Sequence, residues 1–300
     1  MGCCRNIPDA EMKPETLDPD NAGERNDMSK QLFLAVIAAG WSAFAADGEL
    51  ADKISVSAYG SFDVSSGYVL YGALMNDEPC FWTYAETEAS FDGLFSAGIS
   101  LWQNSDMTCR RKDSMRRMNE WDWSAFLRSG YDLAEGWRIQ GELGHVWYKY
   151  HGLTPAAAKT YATMGEIYLL AELQNPFLMP YITFRHDHKI THGEFFEGGL
   201  KREFELPAGF SLTPDATAGG GSRKYLAAMY PPFDSSVNSG LSYVQLALTI
   251  SYRLNEHFGI HAKGAFAALA DDKIRSAVRR DGGTYENEFF WFSAGIDWSF

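Results

Sequence analysis

The chain has 300 residues, 46% of them apolar, 15% aromatic and 22% charged, which is enough to bury a sizeable core and excludes a disordered polymer. Its 26 basic residues are outnumbered by 39 acidic ones, giving a net charge of −13 with no long basic stripe, which excludes a nucleic-acid binder. Mean hydropathy is negative and no uncharged apolar run reaches the roughly 18–20 residues a spanning helix needs, so a polytopic helical membrane protein is excluded too.

Residues 1–27 are polar and punctuated by proline, and they read as a leader or as sequence upstream of a start at Met28. Asn6 stands where a myristoylation motif would place Ser or Thr. Residues 28–45 have the order of an export signal: Lys30 supplies the positive charge, 32–39 the apolar core, and Ala43-Phe44-Ala45 the small-x-small cleavage pattern. The mature chain is then 46–300. Removing residues 1–45 takes away 4 basic and 7 acidic groups and leaves a net charge near −10.

From Lys53 onward the chain repeats one texture, segments of alternating polarity separated by turn residues. Twelve segments are expected, at 54–73, 80–91, 94–104, 121–133, 136–150, 160–174, 177–190, 194–206, 209–219, 240–254, 257–270 and 285–300. Every second connection is two residues long: Asp92-Gly93, Ala134-Glu135, Asn175-Pro176, Pro207-Ala208 and Asn255-Glu256. The connections between them are longer, up to twenty residues. Tight turns at one end and loops at the other predict an all-β fold, an antiparallel up-and-down transmembrane β-barrel of about 12 strands with both termini on the turn side. A soluble β-sandwich would need Greek-key crossovers instead.

In the last segment Phe290, Phe292, Ala294, Ile296, Trp298 and Phe300 share one face, and Ser293, Gly295, Asp297 and Ser299 share the other. If the face of Phe300 meets lipid, Trp298 and Phe300 belong to the aromatic girdle at the turn end, and Phe289, Phe290 and Trp291 to the one at the loop end. The opposite face then lines the lumen. Pore-lining candidates are Glu86, Glu88, Arg128, Glu142, Glu166, Glu172, Arg185, Lys201, Arg253 and Lys263, accompanied by Arg138, Asp187, Glu197, Glu203, His261 and Asp297. One reading pairs these charges and zips the lumen shut. The other leaves a narrow polar channel, because twelve strands enclose more space than the eight that side chains can fill, and its acidic excess favours cations.

Other constellations are weaker. His186, His188 and the loop residue His192 form a metal candidate beside Asp187 and Glu194, against the plainer reading of histidines scattered over an open loop. Cys80 and Cys109 fall at the loop ends of adjacent strands and form a disulfide candidate, the alternative being two free thiols. Arg110, Arg111, Lys112, Arg116 and Arg117 suit lipopolysaccharide, a fold back over the pore mouth, or plain solvation. No nucleophile motif such as G-x-S-x-G accompanies His145, and the glycine clusters precede no helix, so neither catalytic residues nor cofactors are expected.

Residues 291–300, WFSAGIDWSF, with Ile296, Trp298 and Phe300 at alternate positions, resemble the terminal strand of bacterial outer-membrane barrels. The resemblance implies that Phe300 is read by the barrel-assembly machinery and that the protein is integral to the outer membrane. Asp63 followed by Ser66-Gly67-Tyr68-Val69-Leu70-Tyr71-Gly72 resembles the opening of TorF-type putative porins, with Tyr71 where that family tends to have Arg. That resemblance implies porin-like passage of solutes and supplies no catalytic residues. The expected function is a porin-like channel for small polar or ionic solutes, with outer-membrane lipid, lipopolysaccharide and the assembly machinery as partners. The alternative is a non-conducting structural or adhesive barrel acting through loops 105–120, 220–239 and 271–284; a membrane hydrolase is a distant third. Oligomeric state is left open.

Overall fold

The computed structural model describes residues 53–107, 119–151, 164–229, 237–281 and 287–300. Twelve strands form the wall: β1 Ile54–Ser65, β2 Cys80–Phe91, β3 Phe95–Asp106, β4 Asn119–Ala134, β5 Trp137–His151, β6 Gly165–Gln174, β7 Met179–Asp187, β8 Glu194–Lys201, β9 Phe210–Gly221, β10 Gly240–Arg253, β11 Phe258–Leu269 and β12 Glu288–Ser299. Each pairs antiparallel with its sequence neighbour, and β1 pairs with β12 from Tyr59↔Ser299 to Ser65↔Ser293, which closes the ring. Reciprocal bonds of 2.9 Å between the amides and carbonyls of Ala58 and Phe300 carry this seam to the last residue.

Closure is what lets these strands cross a bilayer, because hydrocarbon offers no partner to an unpaired backbone group and a ring has no edge. The alternation then assigns the faces. Along β10 and β11 the pairs Leu246↔Phe266, Leu248↔Gly264 and Ile250↔Ala262 point outward, and between them Gln245↔Ala267, Thr249↔Lys263 and Ser251↔His261 point inward. The outer surface is a band of exposed apolar side chains, with Leu127, Tyr131, Leu143, Leu246, Phe290 and Phe292 among them. At the turn end, Asp92 and Gly93 both take positive φ, 52° and 69°, as a two-residue hairpin turn requires.

Three expectations about local structure are corrected. The segment 54–73 is not one strand: β1 ends at Ser65, whose hydroxyl donates to the carbonyl of Gly67 (2.7 Å) and turns the chain. Residues Tyr68–Leu70 and Ala73–Asn76 then pair with each other as a separate hairpin about the left-handed pair Tyr71-Gly72. The cause lies in Tyr68-Val69-Leu70-Tyr71, a continuous apolar run that suits an element buried on both faces rather than a wall strand with one wet face. Likewise β8 stops at Lys201, and a two-residue piece, Phe204–Glu205, continues against β9. Third, Phe289 and Trp291 do not join the loop-end girdle. Both point inward and are buried, while Phe290 between them is 71% exposed on the outer face.

Among the described residues two helices stand at the loop end, α1 Arg223–Met229 after β9 and α2 Asp272–Asp281 after β11; α1 directly follows the Gly219-Gly220-Gly221 cluster, which was expected to precede no helix. Tyr225 and Leu226 of α1 and Ile274 of α2 are fully buried.

The face assignment has a direct test. Leu248→Arg puts a charge on the lipid face and is expected to cost about 2–4 kcal/mol at the mid-bilayer. Thr249→Arg, one residue away on the inner face, is expected to leave stability nearly unchanged. Unfolding in denaturant, followed by the heat-shifted mobility of the folded barrel, measures both.

Candidate functional site

The register places all ten expected lumen residues on the inner face. On the wall of β2, β4 and β5, Arg128 donates to Glu142 (2.8 Å) and Glu86 (3.3 Å), and also contacts Glu88. Tyr168 reaches Glu142 from β6 (2.6 Å) because its ring lies over Gly144, where a Cβ would stand 2.5 Å from the ring. Further round, Lys201 pairs with Glu172 at 2.5 Å and Arg185 with Glu166 at 3.4 Å. On the far side His261 is held between Asp63 (2.6 Å) and Asp297 (3.1 Å). Lys263 lies over the ring of Trp291, 5.0 Å from its centre.

The hairpin folds into the lumen, and with α1 it fills the loop end. Tyr68 is buried against Trp102 (ring centres 5.8 Å apart), and its hydroxyl donates to the carboxylate of Glu120. Tyr71 packs on Phe195 (4.6 Å) and on Tyr225 of α1 (6.1 Å). Leu74 sits among Ala247, Ala265, Phe289 and Trp291 on the opposite wall. Full burial of each large side chain is worth roughly 1.5–3 kcal/mol, so this apolar contact alone holds the hairpin strongly.

One polar hub fixes the arrangement. Glu166, fully buried, accepts the hydroxyls of Tyr225 from α1 (2.7 Å) and Tyr148 from β5 (2.6 Å). Arg185 supplies the balancing charge and lies over the rings of Tyr71 and Tyr168, at 5.7 and 5.5 Å. Burial pushes the Tyr225 hydroxyl well above its ordinary pKa, so it remains a donor throughout the physiological range.

Toward the turn end the lumen opens into a cavity of about 940 Å³ that reaches the Asn255–Gly259 turn residues. Its walls carry Tyr59, Asp63, Trp82, Arg253, Lys263 and Asp297. The site is thus a charged vestibule ending at an aromatic stopper. Sequence reasoning missed the stopper, although two signals were present: the loss of alternation at 68–71 and the short apolar helix RKYLAAM inside a glycine-bounded loop.

The remaining candidates do not converge. His186 turns to Glu194 (3.7 Å), whereas His188 hydrogen-bonds His145 on the outer face of β5 (2.7 Å), and His192 occupies the turn beyond with φ 49°. Among the described residues no three His, Cys, Asp or Glu side chains group around a metal position. Cys80 is buried on the inner face opposite Ser65; Cys109 and the basic run from Arg110 to Arg117 lie outside the described residues, as does the expected export signal. Phe300 ends the chain 62% exposed. The Nε2 atom of His145 meets a histidine, not a serine hydroxyl.

A closed twelve-strand ring with an apolar outside and a charged inside is an integral outer-membrane β-barrel. No protein-family model matches the chain, and no curated protein does. Among solved structures it is similar to the KdgM porin, at 8% identity and TM-score 0.43 over 81% of this chain and 99% of that one. It is similar also to the COG4313 outer membrane channel from Pseudomonas putida F1, at 7% identity and TM-score 0.49 over 83% of this chain and 95% of that one. A third is outer membrane phospholipase A from Escherichia coli, at 10% identity and TM-score 0.46 over 81% of this chain and 92% of that one.

The hub makes a specific demand. Tyr225→Phe removes one of the hydroxyls that satisfy Glu166 and is expected to weaken the docking of α1 by about 1–3 kcal/mol. Amide exchange within residues 223–229 should then quicken while the wall strands stay protected.

Proposed function

We propose that this barrel is a porin-like outer-membrane channel for passive passage of small polar or ionic solutes, with the lumenal hairpin as its narrowest element. The observation that carries the reading is the vestibule of about 940 Å³, which reaches the turn end and is walled by charges of both signs. Rows of fixed charge along a confined water path orient solutes and set selectivity. Of the paired charges, Arg128 and Lys201 stay on the wall with their carboxylates, whereas Arg185 and Glu166 belong to the packed hub at the loop end. The resemblance of residues 66–72 to TorF-type putative porins falls on the hairpin and supports the same reading. Outer-membrane lipid and lipopolysaccharide are its surroundings on this reading, and the exposed terminal Phe300 is the mark for barrel assembly. No catalytic role is assigned.

A second reading has an observation of its own. The hairpin and α1 are packed by fully buried aromatic and aliphatic side chains, as a permanent stopper would be, and this favours a non-conducting barrel that acts through its loops.

Planar-bilayer recording of the refolded chain separates the two. Discrete salt-dependent steps are expected, and replacing residues 68–75 by a short Gly-Ser linker is expected to enlarge them. In the parent channel, Arg253→Ala or Asp297→Asn, on the vestibule wall, is expected to move the reversal potential in a salt gradient. Inserted protein without steps, with or without the hairpin, would favour the structural barrel. An unmoved reversal potential would remove Arg253 and Asp297 from the solute path.

A further inference from the structure

We propose that Glu120 and Asp122 form a binding site for a hard divalent cation of the calcium type, which ties the lumenal hairpin to the barrel wall. The two carboxylates stand two residues apart on the inner face of β4, opposite Tyr150 and Tyr148 of β5. Glu120 is 0% exposed. One of its oxygens, Oε2, accepts the hydroxyl of Tyr68; the other, Oε1, is buried with no hydrogen-bond partner. Asp122 Oδ1 is buried without a partner in the same way. Arg185, whose charge reaches Asp122, is already engaged by Glu166.

An ionised carboxylate out of water without a counter-charge costs several kcal/mol, and two side by side repel each other as well. Either a proton or a cation must resolve the conflict. The neighbouring donors favour the cation. Asn104, fully buried, faces Glu120 across the β3–β4 ladder, and the Tyr150 hydroxyl lies within hydrogen-bonding reach of the same carboxylate. Carboxylate, amide and hydroxyl oxygens, with no thiolate or imidazole among them, are the donor set of a hard cation that takes six to eight oxygens, and they do not suit zinc or copper. A proton shared between Glu120 Oε1 and Asp122 Oδ1 would satisfy the same two oxygens, and the infrared measurement decides between it and a cation. Because Glu120 also holds Tyr68, a cation here stiffens the anchor of the hairpin.

This inference does not rest on the channel reading, and its test needs no conduction. The refolded full chain in detergent, stripped with a chelator, is titrated with terbium, a calcium-like ion whose emission is sensitised by nearby tryptophan and tyrosine. Trp102 and Tyr68 stand beside the carboxylates. Saturable emission, displaced by calcium, is expected. Glu120→Gln and Asp122→Asn are each expected to weaken it by about tenfold or more, while Glu205→Gln at the turn end leaves it unchanged. The wild-type infrared spectrum covers the case in which the variants fail to fold. Loss of a carboxylic-acid band when calcium is added supports the site. A band that persists at saturating calcium identifies a shared proton and overturns the proposal, as would absent emission or emission equal in both variants.

Discussion

The structure depends on the seam between the first and last strands. Within a bilayer every backbone amide and carbonyl must find a partner in the protein, so a sheet of any length is unstable there until its edges meet. Pairing of Tyr59 through Ser65 with Ser293 through Ser299 supplies that condition, and the bonds from Ala58 to Phe300 extend it to the chain's end. Once the ring is closed, the two-residue period of each strand has only one assignment of faces, because a slip by one residue would put Asp297, His261 and Arg128 into lipid. Charge placement follows from hydrogen bonding.

Closure creates a second constraint. Twelve strands enclose a volume that wall side chains do not fill by themselves. Two solutions coexist here. At the turn end the space is left to solvent, and the charges bordering it are held by pairing or stacking, as with His261 between two aspartates and Lys263 over Trp291. At the loop end it is filled by Tyr68, Tyr71, Leu74, Tyr225 and Leu226, with Phe195 and Tyr243 of the wall closing around them. Tyrosine suits this interface because its ring packs as an apolar body and its hydroxyl reaches a wall carboxylate. Tyr68 does so with Glu120, Tyr225 with Glu166 and Tyr243 with Glu197. The acidic inner face therefore has a structural use beside any role toward solutes. Several of its carboxylates are acceptors for the elements that close the lumen.

The expected acidic field is modified by the same pairing. Glu86, Glu88 and Glu142 share Arg128, Glu172 has Lys201, and Glu166 has Arg185. A count of charges along the chain treats these groups as independent, whereas in the ring they neutralise one another although the partners are 42 and 29 residues apart in sequence for the pairs Glu86–Arg128 and Glu172–Lys201, which the barrel turns into neighbours. The field a solute meets is set by what remains, chiefly the vestibule groups.

The barrel was legible in the amino-acid order because its determinants are local and periodic. Alternation in residues 290–300 and 244–252 marks the two faces, and tight turns such as Asp92-Gly93 alternating with long connections mark the two ends. Strand number and inward placement of residues such as Arg128, Glu166 and Lys263 follow from that pattern alone. The inward fold of 66–76 was not legible. A run such as Tyr68-Val69-Leu70-Tyr71 is equally compatible with a wall strand and with an element packed on both sides, and only the unfilled space inside a closed ring selects the second. The inward direction of Phe289 and Trp291, by contrast, follows from the two-residue period that sets them opposite Phe290 and Phe292. What only the tertiary structure decided is that they are buried there, because the plug, assembled from segments far apart in the chain, brings Leu74 against them.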